Sequence, residues 1–255
     1  MNHISVSFLT ERMESLGLTS MAASFESYLG HPQRHEQPLL EAIADLLETE
    51  AIPRAERKAR MRLKLSGIPQ EKGLDEFELD WLKGGLSKKT FTELSSLAFI
   101  DRRENVVLMG PSGLGKTHLL LALGAKACRE GYTAYYITAM DLFERLSRAR
   151  EQGKLKSKLK WFCKPHLLLM DEVGYENLTP EQATLFFQLV NARYETGSII
   201  MTTNKTFGKW GEIMADDAVA TATLDRLLHH VHVVSLQGDS YRMKDRMKMG
   251  VVDFL

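Results

Sequence analysis

The chain has 255 residues, with 33 basic and 33 acidic side chains, so its overall charge is zero and singles out no partner. Hydrophobic residues make up 44%, enough for a sizeable core in one large domain or two smaller ones. Cys128 and Cys163 form no ligand-spaced cluster, which argues against a zinc site and against a disulfide scaffold. No segment approaches the length of a membrane span, and MNHISVSFLTERMESLG lacks a basic stretch followed by an apolar run, so a cytoplasmic protein without membrane contact is expected.

Residues 1–66 read as helical almost throughout. Leu9, Met13, Leu16, Met21 and Phe25 recur at helical spacing, with a break expected near Gly17. LLEAIADLLETEAI is a second amphipathic segment, and Pro53 is placed to begin a third helix that ends at Gly67 and Pro69. That third helix concentrates Arg54, Arg57, Lys58 and Arg60 against one acid, Glu56. Residues 67–98 read as a linker with short helices. From residue 99 to 255 the rhythm becomes α/β. NVVLM, TAYYIT, HLLLMDE, SIIMTTN and HVVSLQ are strand-like and alternate with helical stretches, WGEIMADDAVATATLDRLLHHV among them. Alternation of this kind predicts a mostly parallel sheet covered by helices on both faces.

GPSGLGKT fits G-x-x-x-x-G-K-[ST] between an apolar strand and an apolar helix, the setting of a P-loop. The candidate cradle runs through Gly110, Pro111, Ser112, Gly113, Leu114, Gly115, Lys116, Thr117 and His118. Its glycines let amides turn inward toward phosphate oxygens. Lys116 is expected to reach the β- and γ-phosphates of ATP, and the Thr117 hydroxyl to hold Mg²⁺. LLLMDE places Asp171 and Glu172 at a strand's carboxyl end, where Asp171 can join the Mg²⁺ shell and Glu172 can polarise a water. This pair favours hydrolysis over phosphoryl transfer to another substrate. GTP is disfavoured, since no DxxG follows the strand and no NKxD appears.

Asn204, at the tip of SIIMTTN, can orient the attacking water if its strand lies parallel to LLLMDE; the alternative is a turn-forming Asn. Arg226 either covers its own helix with its stem or reaches a neighbouring subunit's γ-phosphate. Arg242 is placed to touch the nucleotide of its own chain. His229, His230 and His232 straddle a helix-to-strand transition, where adjacent side chains diverge, and read as structural. A second basic run carries Arg145, Arg148, Arg150, Lys154, Lys156, Lys158 and Lys160, with Leu155 and Leu159 facing the core. With Arg54 to Arg60 it is a candidate surface for sequence-independent, salt-sensitive DNA binding. The C-terminal YRMKDRMKMG is a weaker one.

GPSGLGKTHLLLALG, HLLLMDEVGY, IIMTTN, WGEIMADDAVATATLDRLLHH and GDSYRMK together resemble the IstB-like helper ATPases of insertion-sequence transposition, kin of the DnaC-type helicase loaders in the AAA+ class. The resemblance implies an AAA+ type P-loop NTPase domain behind a small helical domain. It assigns Lys116 and Thr117 to phosphate and Mg²⁺, Asp171 and Glu172 to metal holding and water activation, and Asn204 to a sensor position. Arg226 becomes the arginine offered to a neighbouring subunit, and Arg242 a C-terminal sensor. The implied partners are duplex DNA, a separate transposase and further copies of the chain, with ATP at the subunit interfaces. Two alternatives remain at this stage: a replicative helicase loader, and a non-enzymatic, ATP-regulated DNA-coating protein.

Overall fold

The computed structural model describes residues 5–31 and 37–241, so Arg242 and the basic residues after it lie outside the described residues. Contacts divide the chain into two compact units, Met1–Met61 and Arg62–Leu255. The first unit is built from α1 (Val6–Ser15), α2 (Thr19–Leu29) and most of α3 (Leu39–Leu65). Gly17 adopts φ +73°, a left-handed turn that separates α1 from α2 where the break was expected. Leu18 stands at the N-cap of α2 and has no side chain to cap with. Glu50 of α3 does this work instead, accepting from the Ser20 and Met21 amides at 2.7 and 3.2 Å.

Pro53 does not begin a helix. It sits inside α3, a continuous helix of 27 residues. The sequence on both sides is rich in strong helix formers, and the Arg54–Glu50 ion pair at 3.1 Å bridges the turn containing the proline.

The second unit opens with a single turn at Leu79–Trp81, then β1 (Leu82–Gly84), α4 (Lys88–Ser95) and α5 (Ala98–Asp101). The alternating region follows: β2 (Asn105–Met109), α6 (Lys116–Arg129), β3 (Ala134–Thr138), α7 (Ala139–Glu151), α8 (Leu155–Phe162) and β4 (Leu167–Val173). It continues with α9 (Pro180–Arg193), β5 (Ser198–Thr203), α10 (Trp210–Met214), α11 (Asp217–Leu228), β6 (Val231–Ser235) and β7 (Gln237–Gly238). Five strands form one parallel sheet in the order β3-β4-β5-β2-β6, so β5 lies between the glycine-loop strand and the acid-bearing strand.

Alternate strand residues feed two cores. Val107, Met109, Leu168 and Met170 pack with α7, α9 and α11, whereas Val106, Leu108, Leu167 and Leu169 pack with α6. This is the expected α/β layering, an AAA+-like sheet with helices on both faces.

Two stretches carry more detail than their sequence suggests. The helical stretch that begins at Trp210 holds two helices, α10 and α11, because Asp216 accepts from the Ala218 and Val219 amides and starts α11 afresh after a left-handed Ala215, and Val231 already belongs to β6. The stretch 67–98 holds short helices and also a strand, β1, which pairs antiparallel with β7.

Candidate functional site

The glycine loop runs from the end of β2 into α6. Gly115 is the N-cap of α6 with φ +82°, and no side chain caps that helix start. A Cβ at Gly115 would meet the Phe77 ring at 2.9 Å, so glycine is required both by conformation and by space. The first-turn amides of α6 therefore face the loop with the partial positive charge of a helix N-terminus. Lys116 is only 5% exposed and donates to the Gly110 and Pro111 carbonyls at 2.8 Å, folding its ammonium over the loop.

Opposite the loop stands the tip of β4. Asp171 is 3% exposed. Its Oδ1 accepts from Thr117 Oγ1 at 3.1 Å and from Thr202 Oγ1 at 2.5 Å, and its Oδ2 from the Tyr136 hydroxyl at 3.3 Å. Burial and the adjacent Asp171 carboxylate push the Tyr136 phenol well above its usual range, so it remains a donor at neutral pH. The register of β4 against β5 shifts between Met170 and Val173, and Glu172 within that bulge has φ +63°. A non-glycine residue there costs about 1–3 kcal/mol, which the surroundings must offset. Thr202 does so by accepting from the Glu172 amide at 2.8 Å while donating to Asp171. One hydroxyl thus fixes both acids: Asp171 stays buried against Thr117, and Glu172 is turned outward and exposed.

Lys116, Thr117 and Glu172 line a single cleft of about 400 Å³, with Asp171 behind it on the Thr117 hydroxyl. Hard oxygen donors from Thr117 and Asp171, already 3.1 Å apart, suit a Mg²⁺ ion, and the uncapped helix start suits phosphate. Asn204 follows directly on β5, whose Thr203 carbonyl accepts from the Gly110 amide at 3.2 Å. It is exposed at the sheet's carboxyl end, between the loop strand and the acid strand.

Several cleft residues escaped the sequence reading. Phe77, Glu78, Trp81 and Leu82 form one wall, and Tyr241 closes over it. The Tyr241 amide donates to the Gly113 carbonyl at 2.7 Å, and its ring meets Trp81 edge-on at 5.9 Å. Sequence alone gave no signal for this wall, because it depends on the long-range β1–β7 pairing. Thr202 and Tyr136 were also missed; alternation along β3 and β5 marks them as strand residues but not as partners of one carboxylate.

Arg226 lies far along α11, half-buried. Its Nε donates to Asn191 Oδ1 at 2.7 Å, Nη1 donates to the Ala222 carbonyl at 3.1 Å, and the guanidinium stands 5.0 Å from the Phe187 ring centre. His232 meets Glu104 at 2.8 Å, a structural contact. The His229 and His230 side chains do not diverge as expected, for their ring centres are 4.2 Å apart and Glu195 joins them, all ligand atoms lying within 4.8 Å. Arg103 and Arg226 line a depression with Glu195 and His230, an unfavourable setting for a further cation.

The two basic stretches differ from each other. Arg54 and Arg57 are held by buried Glu50, and they also donate to the Gly17 carbonyl and the Ser20 hydroxyl. Lys58 and Arg60 are exposed. On α7, Arg145 donates to the Tyr135 hydroxyl, while Arg148 and Arg150 pair with Glu144 and Glu181. On and before α8, Lys154, Lys156 and Lys160 are exposed, and Lys158 sits 4.7 Å from the Trp161 ring centre. Leu155 and Leu159 face the core as expected.

The sequence profile of the IstB-like ATP binding proteins matches residues 11–249. An ATP-binding protein of insertion sequence IS5376 from Geobacillus stearothermophilus is 41% identical over 236 residues, covering 92% of this chain and 94% of its own. One from IS21 of Pseudomonas aeruginosa is 38% identical, covering 94% and 90%. The solved DnaC helicase loader shares the fold with a TM-score of 0.52 at 20% identity, over 65% of this chain and 96% of its own. Among the described residues no helix is long and apolar enough to cross a membrane. With its AAA+ fold, its P-loop and a family match over most of its length, this chain belongs to the IstB-like ATP-binding proteins of insertion sequences.

Proposed function

We propose that the protein is an Mg²⁺-dependent ATPase that assembles on duplex DNA without strong sequence preference and prepares that DNA for a separate transposase. ATP supplies the scissile phosphoanhydride, and Mg²⁺ neutralises its oxygens. Lys116 exchanges its loop carbonyls for phosphate oxygens. Thr117 and Asp171 hold the metal, and Glu172 accepts a proton from the attacking water. Asn204 orients that water, and Arg226 of one subunit approaches the nucleotide of the next. Arg242 is proposed as a sensor from its own chain. Lys154, Lys156, Lys158 and Lys160 with Arg145, Arg148 and Arg150 meet backbone phosphates, and Lys58 and Arg60 extend the basic surface of the first unit.

The observation that carries this reading is the hydrogen-bonded chain Thr117–Asp171–Thr202–Glu172, which holds one carboxylate for a metal and presents the next to solvent. A module that only coats DNA has no use for a strained, outward-turned Glu172. A helicase-loader reading is favoured by the likeness in fold to the DnaC helicase loader; it keeps the same ATP chemistry and differs in the client. Co-purification with the transposase or with a replicative helicase separates the two.

The decisive experiment is Glu172→Gln. The variant is expected to bind ATP with unchanged affinity and to lose turnover by roughly 10²-fold or more, the range for removing a general base. Its ATP-bound complexes on duplex DNA should persist. Wild-type turnover in this variant removes Glu172 from the reaction.

A further inference from the structure

We infer that Asn191 is a positioning residue for Arg226, holding the guanidinium in the pose from which it enters a neighbouring subunit's ATP site. The inference rests on the reading of Arg226 as an arginine used in trans. A free arginine samples many rotamers and must give up that freedom when it docks on a phosphate. Here much of that ordering has already taken place. Asn191 Oδ1 takes the Nε–H at 2.7 Å, the Ala222 carbonyl takes one Nη1 hydrogen at 3.1 Å, and the Phe187 ring lies beneath at 5.0 Å. The Nη2 amine makes no hydrogen bond among the described residues, so the side chain is held through Nε and Nη1 and keeps its Nη2 donors to offer.

The holder is well placed for this. Phe187 and Asn191 are four residues apart, which puts them on one face of α9, the face that meets α11. Asn191 is itself exposed, so its amide is not required to fill the core. A neutral amide oxygen also suits the task better than a carboxylate. It orients the guanidinium without cancelling the charge that must stabilise a phosphoryl transition state. Glu195 lies just past the end of α9 and leaves this position to Asn191, its carboxylate lying beside His229 and His230 instead. The device is therefore local: one hydrogen bond sets the direction, and the ring sets the height.

The test is the steady-state ATPase of the full chain with Mg²⁺ and saturating duplex DNA, comparing Asn191→Ala, Arg226→Ala and the double variant. Arg226→Ala should lower kcat by on the order of 10³-fold, the low end for an arginine of this kind. Asn191→Ala should lower kcat by about fivefold, as for a misplaced but present catalytic group, with the KM for ATP unchanged. The double variant should match Arg226→Ala alone, because a holder with nothing to hold has no further effect. If the two losses multiply, or if Asn191→Ala turns over like the parent, the positioning role is wrong. If Arg226→Ala itself turns over normally, the trans reading of Arg226 falls and this inference falls with it. A purely packing role for Asn191 would instead lower thermal stability and add to the arginine loss.

Discussion

The tip of β4 and the helical hairpin α7–α8 both carry charge that the proposed function uses, but they hold it in opposite ways. At β4 the charge is buried, and Asp171 is fixed by three hydroxyls from three different segments. On the hairpin, Lys154, Lys156 and Lys160 stand in solvent. A buried carboxylate must have its partners placed in advance, since an unmet acceptor there is costly. An exposed ammonium needs none, and its long stem finds phosphates wherever they lie. The first arrangement supplies geometry and the second supplies charge. Substitutions at the two places should therefore fail differently, one in turnover and the other in salt dependence.

The largest expected effect in breaking this contrast comes from Thr202→Val, which keeps the shape of the side chain and removes its hydroxyl. The Glu172 amide loses its acceptor and Asp171 loses a donor. The penalty is about 1–3 kcal/mol for a buried group left unmet. Glu172, already at φ +63°, then has less to hold it in the left-handed region. ATPase turnover should fall by about 10- to 100-fold, as for a small displacement of a catalytic group. Nucleotide binding should change far less, because Lys116 and the α6 amides are untouched. Equal losses in affinity and turnover would contradict the assignment of Thr202 to the acids alone.

A smaller effect is expected on the hairpin. Replacing Lys154, Lys156 and Lys160 together by Ala should leave turnover without DNA unchanged. It should reduce the slope of log K against log salt for duplex DNA by about 2.7, for three phosphate contacts. Arg148→Ala with Arg150→Ala should change the slope less per charge removed, since Glu144 and Glu181 already pair with these guanidiniums. A salt titration of DNA binding distinguishes the two sets. Identical slopes per charge would mean that the ion pairs do not restrain the arginines.

The same contrast explains what the sequence could reveal. The glycine loop, the acids and the parallel strands were legible because each is written in contiguous residues: GPSGLGKT, LLLMDE, SIIMTTN. What stayed hidden was built from partners distant in the chain. Thr202 and Tyr136 belong to Asp171 only once β3, β4 and β5 lie side by side. Phe77 and Trp81 became a pocket wall only through the pairing of β1 with β7. Pro53 misled because a proline reads locally as a helix start, whereas the long helix and the Glu50–Arg54 pair carry the chain through it. Asp216 announced a new helix in the letters ADD, and there the local signal was present but overlooked.

Glu50 extends the comparison into the first unit, where a buried acid again organises distant segments, this time without chemistry. It is 3% exposed, and it joins the start of α2 to α3 and to two guanidiniums. Burial pushes its carboxyl upward, but the Met21 and Ser20 amides together with Arg54 and Arg57 outweigh this and hold it below the usual range. A carboxylate depressed in the folded state stabilises the fold above its unfolded value of about 4.3, and that stabilisation is lost as pH falls through the lower folded value. Acidification below about pH 4 should therefore lower the unfolding midpoint of the parent, because protonation releases the α2 amides. In Glu50→Gln the amide oxygen still accepts but no longer attracts the arginines, so the variant should start less stable at neutral pH and lose less on acidification. The two curves should converge at low pH, a change read by thermal unfolding monitored on the helical signal. Parallel curves would show that Glu50 contributes only its shape, and that the arginines beside it are free to serve another partner.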